Sequence, residues 1–132
     1  MSFAALNLQP DAVLPVDAAQ AALAARVWLP DWRGPAVAAV RGDDLVDVSA
    51  RFRTMRDLCE TPDPAAALRG ASGPVIGKLA DILANSDEDH RDAAKPWLLA
   101  PVDLQAIKAA GVTFPRSMLE RVIEEQAKGA PE

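Results

Sequence analysis

Apolar and polar positions change rhythm several times along the chain, and each change marks an element. From Leu23 to Trp28 the residues read as a strand, ended by the turn-rich break Pro30-Asp-Trp-Arg-Gly-Pro35. Two short apolar runs follow, Ala36-Val-Ala-Ala-Val40 and Leu45-Val-Asp-Val48, separated by Arg41-Gly-Asp-Asp44. A Gly-Asp turn between two such runs predicts a β-hairpin, the strongest local signal in the sequence. Residues 1–20, where Asn7, Gln9, Pro10, Asp11 and Pro15 interrupt the apolar residues, are expected to form an extended leader against the domain.

Beyond the hairpin the signals are helical. Thr54-Met-Arg-Asp57 has capping-box spacing and opens a short helix through Leu58 and Cys59. Asp63-Pro64 starts another and Gly70 is placed to end it. Ile76, Leu79, Ala80 and Leu83 fall at i, i+3, i+4 and i+7, which predicts an amphipathic helix over 75–84 stopped by Asn85. The glycine-bearing Gly70–Gly77 stretch reads as the linker into it, and Ser86–Asp92 as a surface loop. Pro96-Trp-Leu-Leu-Ala-Pro101 predicts a strand between prolines, and Ile107–Phe114 a further strand. From Arg116 the period is helical again, with Met118, Leu119, Val122 and Ile123 on one stripe. The expected class is α+β: a β-hairpin or short antiparallel sheet with several short helices, the last near the C-terminus. The partition is a leader at 1–20, one domain over 21–114, and the final helix with its tail over 115–132.

Composition narrows the function classes. Half of the 132 residues are apolar, but alanine supplies much of that fraction, so a modest core is expected. The formal net charge is −5, and no stretch clusters Lys and Arg, which argues against a nucleic-acid backbone as partner. Three Trp, three Phe and no Tyr offer little for base stacking. A single cysteine allows neither an intrachain disulfide nor a four-cysteine zinc site. The N-terminal residues lack the pattern of a signal peptide, and no apolar run is long enough to span a bilayer. The expectation is a cytoplasmic chain with no membrane and no nucleic-acid partner.

Cys59 and His90 could in principle form a nucleophilic pair, but no third residue orients them; the simpler expectation is a buried, inert thiol and a solvated loop histidine. Asp87-Glu-Asp-His-Arg-Asp92 offers oxygen ligands without the glycine a calcium loop needs, and is read as a solvated acidic loop. The helix from Arg116 carries more. Glu120 and Glu124 stand one turn apart, and Arg116 and Arg121 can pair with them at i, i+4 and i, i+3. Over a cleft, that face could supply a general base and a guanidinium for an anionic substrate. Ser117-Met-Leu-Glu120 equally fits a capping box, and the other charges a surface ion-pair ladder.

Several segments together resemble a known family. Arg26-Val-Trp-Leu-Pro30, Gly34-Pro-Ala-Val-Ala-Ala-Val-Arg-Gly42, Thr54-Met-Arg-Asp-Leu-Cys-Glu60 and Trp97-Leu-Leu-Ala-Pro101 resemble the N-terminal part of bacterial fumarylacetoacetate-hydrolase-family proteins. Leu104-Gln-Ala-Ile-Lys-Ala-Ala-Gly-Val-Thr-Phe114 with Ser117-Met-Leu-Glu-Arg-Val-Ile-Glu-Glu125 is most similar to the branch holding 2-keto-3-deoxy sugar-acid dehydratases. The resemblance runs from about residue 20 onward. It implies a small N-terminal domain ending in a lid-like helix, with no cofactor of its own. A divalent metal, magnesium or manganese, is expected on a Glu-x-Glu motif in a C-terminal catalytic domain, which this sequence does not contain. Family hydrolases carry Asn-Tyr-x-Asp-His-x-x-Glu in the lid. Here Thr113, Phe114, Arg116 and Ser117 stand at the Asn, Tyr, Asp and His positions, and Glu120 keeps the Glu. Serine cannot accept a proton at neutral pH as imidazole does, which favours a dehydratase over a hydrolase. The resemblance therefore implies Glu120 or Glu124 as the catalytic carboxylate, with Arg116, Ser117 and Arg121 toward the substrate. The chain alone is expected to be inactive, its partner being that catalytic domain or a second copy of itself. The alternative is a non-catalytic interaction module with the same fold.

Overall fold

The computed structural model describes residues 7–109 together with residues 119, 120, 122 and 123. The domain is α+β. In chain order it comprises α1 (Pro10–Val13), β1 (Ala24–Leu29), β2 (Gly34–Arg41), β3 (Asp44–Asp47), α2 (Met55–Cys59), α3 (Pro64–Arg69), β4 (Val75–Lys78), α4 (Leu79–Ala84) and β5 (Trp97–Leu99). The strands form one antiparallel sheet in the order β4-β3-β2-β1-β5.

Both faces of this sheet are covered, and the alternation of side chains shows how. On β2, Val37 and Ala39 point into a cluster with Val48, Phe52, Met55, Leu58, Leu68 and Ala71, under α2 and α3. Their neighbours Ala38 and Val40 belong to the opposite cluster, with Val27, Leu45, Leu79, Ile82 and Leu83 under α4. The central strand is thus buried on both sides, and Ala36, Ala38 and Ala39 are almost fully enclosed. Each methyl contributes little area, but small side chains at the centre of the sheet let the larger Leu, Ile, Phe and Met side chains of both helical layers reach it.

The hairpins follow their turn residues. Arg41 pairs with Asp44, so Gly42 and Asp43 are the two-residue loop between β2 and β3. Gly42 has φ +58° while Asp43 does not enter the positive region, the pattern of a type II′ hairpin. Between β1 and β2 the loop is Pro30–Arg33, where Arg33 takes φ 51°, a left-handed conformation that costs a non-glycine residue about 1 kcal/mol. The predicted caps are formed as well. Thr54 Oγ1 accepts from the Asp57 amide at 3.0 Å, and the Thr54 amide donates to Asp57 at 3.1 Å, a complete capping box on α2. Asp63 caps α3 through the Ala66 amide, and Gly70 terminates it. At that C-terminus the Arg41 guanidinium donates to the carbonyls of Leu68 at 2.6 Å and Ala71 at 3.3 Å, a cation where orphan carbonyls and the helix dipole favour one.

Three expectations are corrected. The helix predicted over 75–84 is a strand followed by a helix. Val75–Lys78 pairs with β3, Ile76 is the extra residue of a bulge, and Lys78 bonds Asp44 across the strands at 2.7 Å. Only then does α4 begin, its first amide donating to the Asp43 carbonyl. The leader is not extended throughout: Pro10–Val13 make a helical turn, and Leu8 and Leu14 on either side of it pack on the α4 cluster. The strand predicted at Ile107–Phe114 is not formed over 107–109, and its remainder lies outside the described residues. Among the described residues no helix is long and apolar enough to cross a membrane.

Candidate functional site

Of the residues singled out near the C-terminus, Glu120 is placed by the structure. It is helical and exposed, alongside the helical residues Leu119, Val122 and Ile123, which are exposed too. Arg116, Ser117, Arg121 and Glu124 lie outside the described residues, so no geometry joins them to Glu120. Among the described residues no group of three or more His, Cys, Asp or Glu side chains could hold a metal ion, so they offer a divalent cation no ligand set.

The chain after β5 is held by a residue that no local pattern singles out. Asp103 follows β5 and its carboxylate turns back to the start of α2. It accepts from the Met55 amide at 2.8 Å and the Arg56 amide at 3.2 Å, and Arg26 Nε on β1 stands 3.8 Å away. Its side chain keeps only a tenth of its exposure. Burial alone would raise the carboxyl's pKa, but hydrogen bonds from the Leu104, Met55 and Arg56 amides and the charge of Arg26 hold it below the ordinary range. A carboxylate at the first turn of a helix is favoured by the dipole and by the free amides there. Beside it is a small hollow lined by Arg26, Val37, Arg53, Thr54 and Leu104.

A second polar centre lies on the opposite side of the sheet. Asn85, at the end of α4, is buried; its Nδ2 donates to the carbonyls of Asp92, Lys95 and Pro96 and its Oδ1 accepts from the Asp92 amide at 2.7 Å. One amide side chain thereby closes the loop 86–96, whose exit strand stacks Trp97 on Trp28 at 5.7 Å. Arg91 lies over Trp97 at 5.0 Å. On the loop's outer side His90 Nδ1 and Asp87 Oδ2 are 2.7 Å apart. This hydrogen bond and the attraction between the charges raise the pKa of His90 and lower that of Asp87.

Cys59 and His90 are not brought together. Cys59 belongs to α2 on one face of the sheet, and His90 follows α4 on the other. The expectation of a buried thiol is also corrected: Cys59 is exposed, with the Gln105 side-chain amide 3.9 Å from its sulfur. Adjacent helical residues point about 100° apart, so Leu58, which is buried, turns its neighbour outward. A hollow with charged walls lies between the leader and the β2–β3 turn, lined by Gln20, Arg41, Gly42, Asp43 and Arg69. Both arginines are already engaged with main-chain carbonyls, Arg41 at the end of α3 and Arg69 at Gln20.

No family model, curated protein or solved structure matched the chain.

Proposed function

We propose that this chain is the N-terminal domain of a cytoplasmic fumarylacetoacetate-hydrolase-family enzyme, a metal-dependent dehydratase or C–C hydrolase of 2-keto acids. The observation that carries the reading is the placement of the four N-terminal segments that resemble the family. They fall on β1, β2, α2 and β5. The three strands are neighbours in one sheet, and α2 is tied to the chain after β5 through Asp103. Segments dispersed over some eighty residues of sequence thus form one contiguous unit, as a shared domain would require.

In this reading Glu120, on an exposed helical face, is the lid carboxylate that moves a proton of the substrate. Glu124 is the second candidate, and Arg116, Ser117 and Arg121 contact the anionic substrate. The divalent metal belongs to the catalytic domain. The exposure of Leu119, Val122 and Ile123 also supports the second reading, an interaction module without chemistry whose apolar helix face meets a partner or a second copy. The reading frame beyond Glu132 separates the two. A following domain with a Glu-x-Glu motif supports the enzyme; a stop codon at that point supports the module. By itself the 132-residue chain is expected to turn over neither 2-keto-3-deoxy acids nor acylpyruvates, with or without magnesium.

A further inference from the structure

The segment after β5 is held in an unusual way. Between Pro101 and Lys108 the chain has no regular structure, and Val102, Leu104 and Ile107 leave 46%, 63% and 84% of their surface exposed. Apolar burial therefore contributes little to its position. Its attachments are polar and converge on one residue. Asp103 takes the two α2 amides and faces Arg26, whose guanidinium also donates to the Val102 carbonyl at 3.4 Å. The Asp103 amide donates to the Gln105 side chain, which in turn reaches the Cys59 sulfur on α2. The α2 amides do not depend on this carboxylate for helix formation, since Thr54 and Asp57 already close a capping box there.

We propose that residues 101–108 are a strap with a single clasp, Asp103, and that release of the clasp is a discrete opening distinct from unfolding of the sheet. The closed strap lies over the hollow beside Arg26 and Val37 and fixes the direction in which the chain leaves the domain. Opening it uncovers that hollow and the first turn of α2, and frees the connection toward the C-terminal helix. Segments held by few polar contacts and little apolar area open at the low end of a protein's stability range. The strap is a property of this domain whether a catalytic domain or another partner follows it.

Residue-resolved amide hydrogen exchange by NMR on the full chain tests this, comparing the wild type with Asp103→Ala and Thr54→Ala. In Asp103→Ala, exchange at the amide of position 103, which donates to the Gln105 side chain within the strap, is expected to rise at least tenfold, about 1.4 kcal/mol of opening free energy, with Val37–Ala39 of the central strand as protected as before. Thr54→Ala is expected to accelerate the α2 amides alone. Three results would overturn the clasp. Unchanged exchange at position 103 in Asp103→Ala would mean that other contacts hold the strap. Equal acceleration on β2 would make Asp103 part of global stability. Release of the strap by Thr54→Ala would mean that it follows the helix rather than the carboxylate.

Discussion

Gly73 provides the sharpest test of the sheet, because the chain crosses closest there. It precedes β4, and the Asp47 amide at the end of β3 donates to the Pro74 carbonyl at 2.8 Å. A Cβ built on Gly73 would fall onto the Asp47 carbonyl oxygen and lie 2.9 Å from its carbon, against backbone that no rotamer change can move. Restoring van der Waals distance in Gly73→Ala requires the two segments to separate by ~1 Å or more. That lengthens the Asp47–Pro74 bond beyond useful range and disturbs the bulged pairing of Val46 with Val75. One or two backbone bonds at about 1 kcal/mol each, together with roughly 1–3 kcal/mol of overpacking, put the loss at about 3 kcal/mol. For a domain of this size that lowers Tm by roughly 10 °C. Gly77→Ala is the control. There the added carbon meets the Ile82 side chain, nearest at Cδ1 at 3.6 Å, an ordinary contact, and the expected cost is under about 1 kcal/mol. Urea and thermal denaturation of both variants measure the difference. A Gly73→Ala protein as stable as Gly77→Ala would refute the β3–β4 crossing.

The His90–Asp87 pair should be visible in a pH titration. A raised histidine pKa stabilises the fold fully below about 6.5, and that contribution is lost as pH rises through the folded value. A lowered aspartate pKa stabilises above about 3.9 and is lost as pH falls through its own folded value. The pair is therefore strongest from roughly pH 4 to 6.5. An NMR midpoint for His90 above 6.5, falling in Asp87→Asn, is expected; a midpoint at or below the ordinary value contradicts the pairing. Asn85→Ala removes the side-chain bonds that tie Asp92, Lys95 and Pro96 to the end of α4 and should cost about 2–3 kcal/mol. Protease cleavage within loop 86–96 should rise with it, and an unchanged cleavage rate would show that Asn85 is not its anchor.

Where the signal was local, the sequence carried the fold. Gly42-Asp43 located the central hairpin, and Thr54, Asp57, Asp63, Pro64 and Gly70 bounded α2 and α3, because caps and tight turns are short-range chemistry. The 75–84 region misled for a physical reason. Ile76 sits three residues before Leu79 and both pack in the same cluster, but Ile76 gets there from a bulged strand that exists only through pairing with β3. Periodicity cannot separate such a strand from a helix turn. Asp103 was invisible for a related reason: its partners on α2 lie 47 and 48 residues away. Of the candidate site, the helical state of Glu120 agrees with the helix expected there, while its role rests on the family resemblance.

Steady-state kinetics of the complete reading-frame product, with Glu120→Gln and Ser117→Ala, test the proposal that this domain serves a 2-keto-acid enzyme through Glu120. Magnesium- or manganese-dependent turnover of a 2-keto-3-deoxy acid or an acylpyruvate is expected. Glu120→Gln keeps the side chain's shape, removes the base, and should lower turnover by roughly a hundredfold or more at an unchanged Tm. If Ser117 only caps the helix, Ser117→Ala should cost about 1 kcal/mol of stability and leave turnover nearly intact; if it contacts the anionic substrate, the substitution should raise KM with kcat little changed. Absence of metal-dependent turnover, or equal and mild effects from the two substitutions, would contradict the proposal.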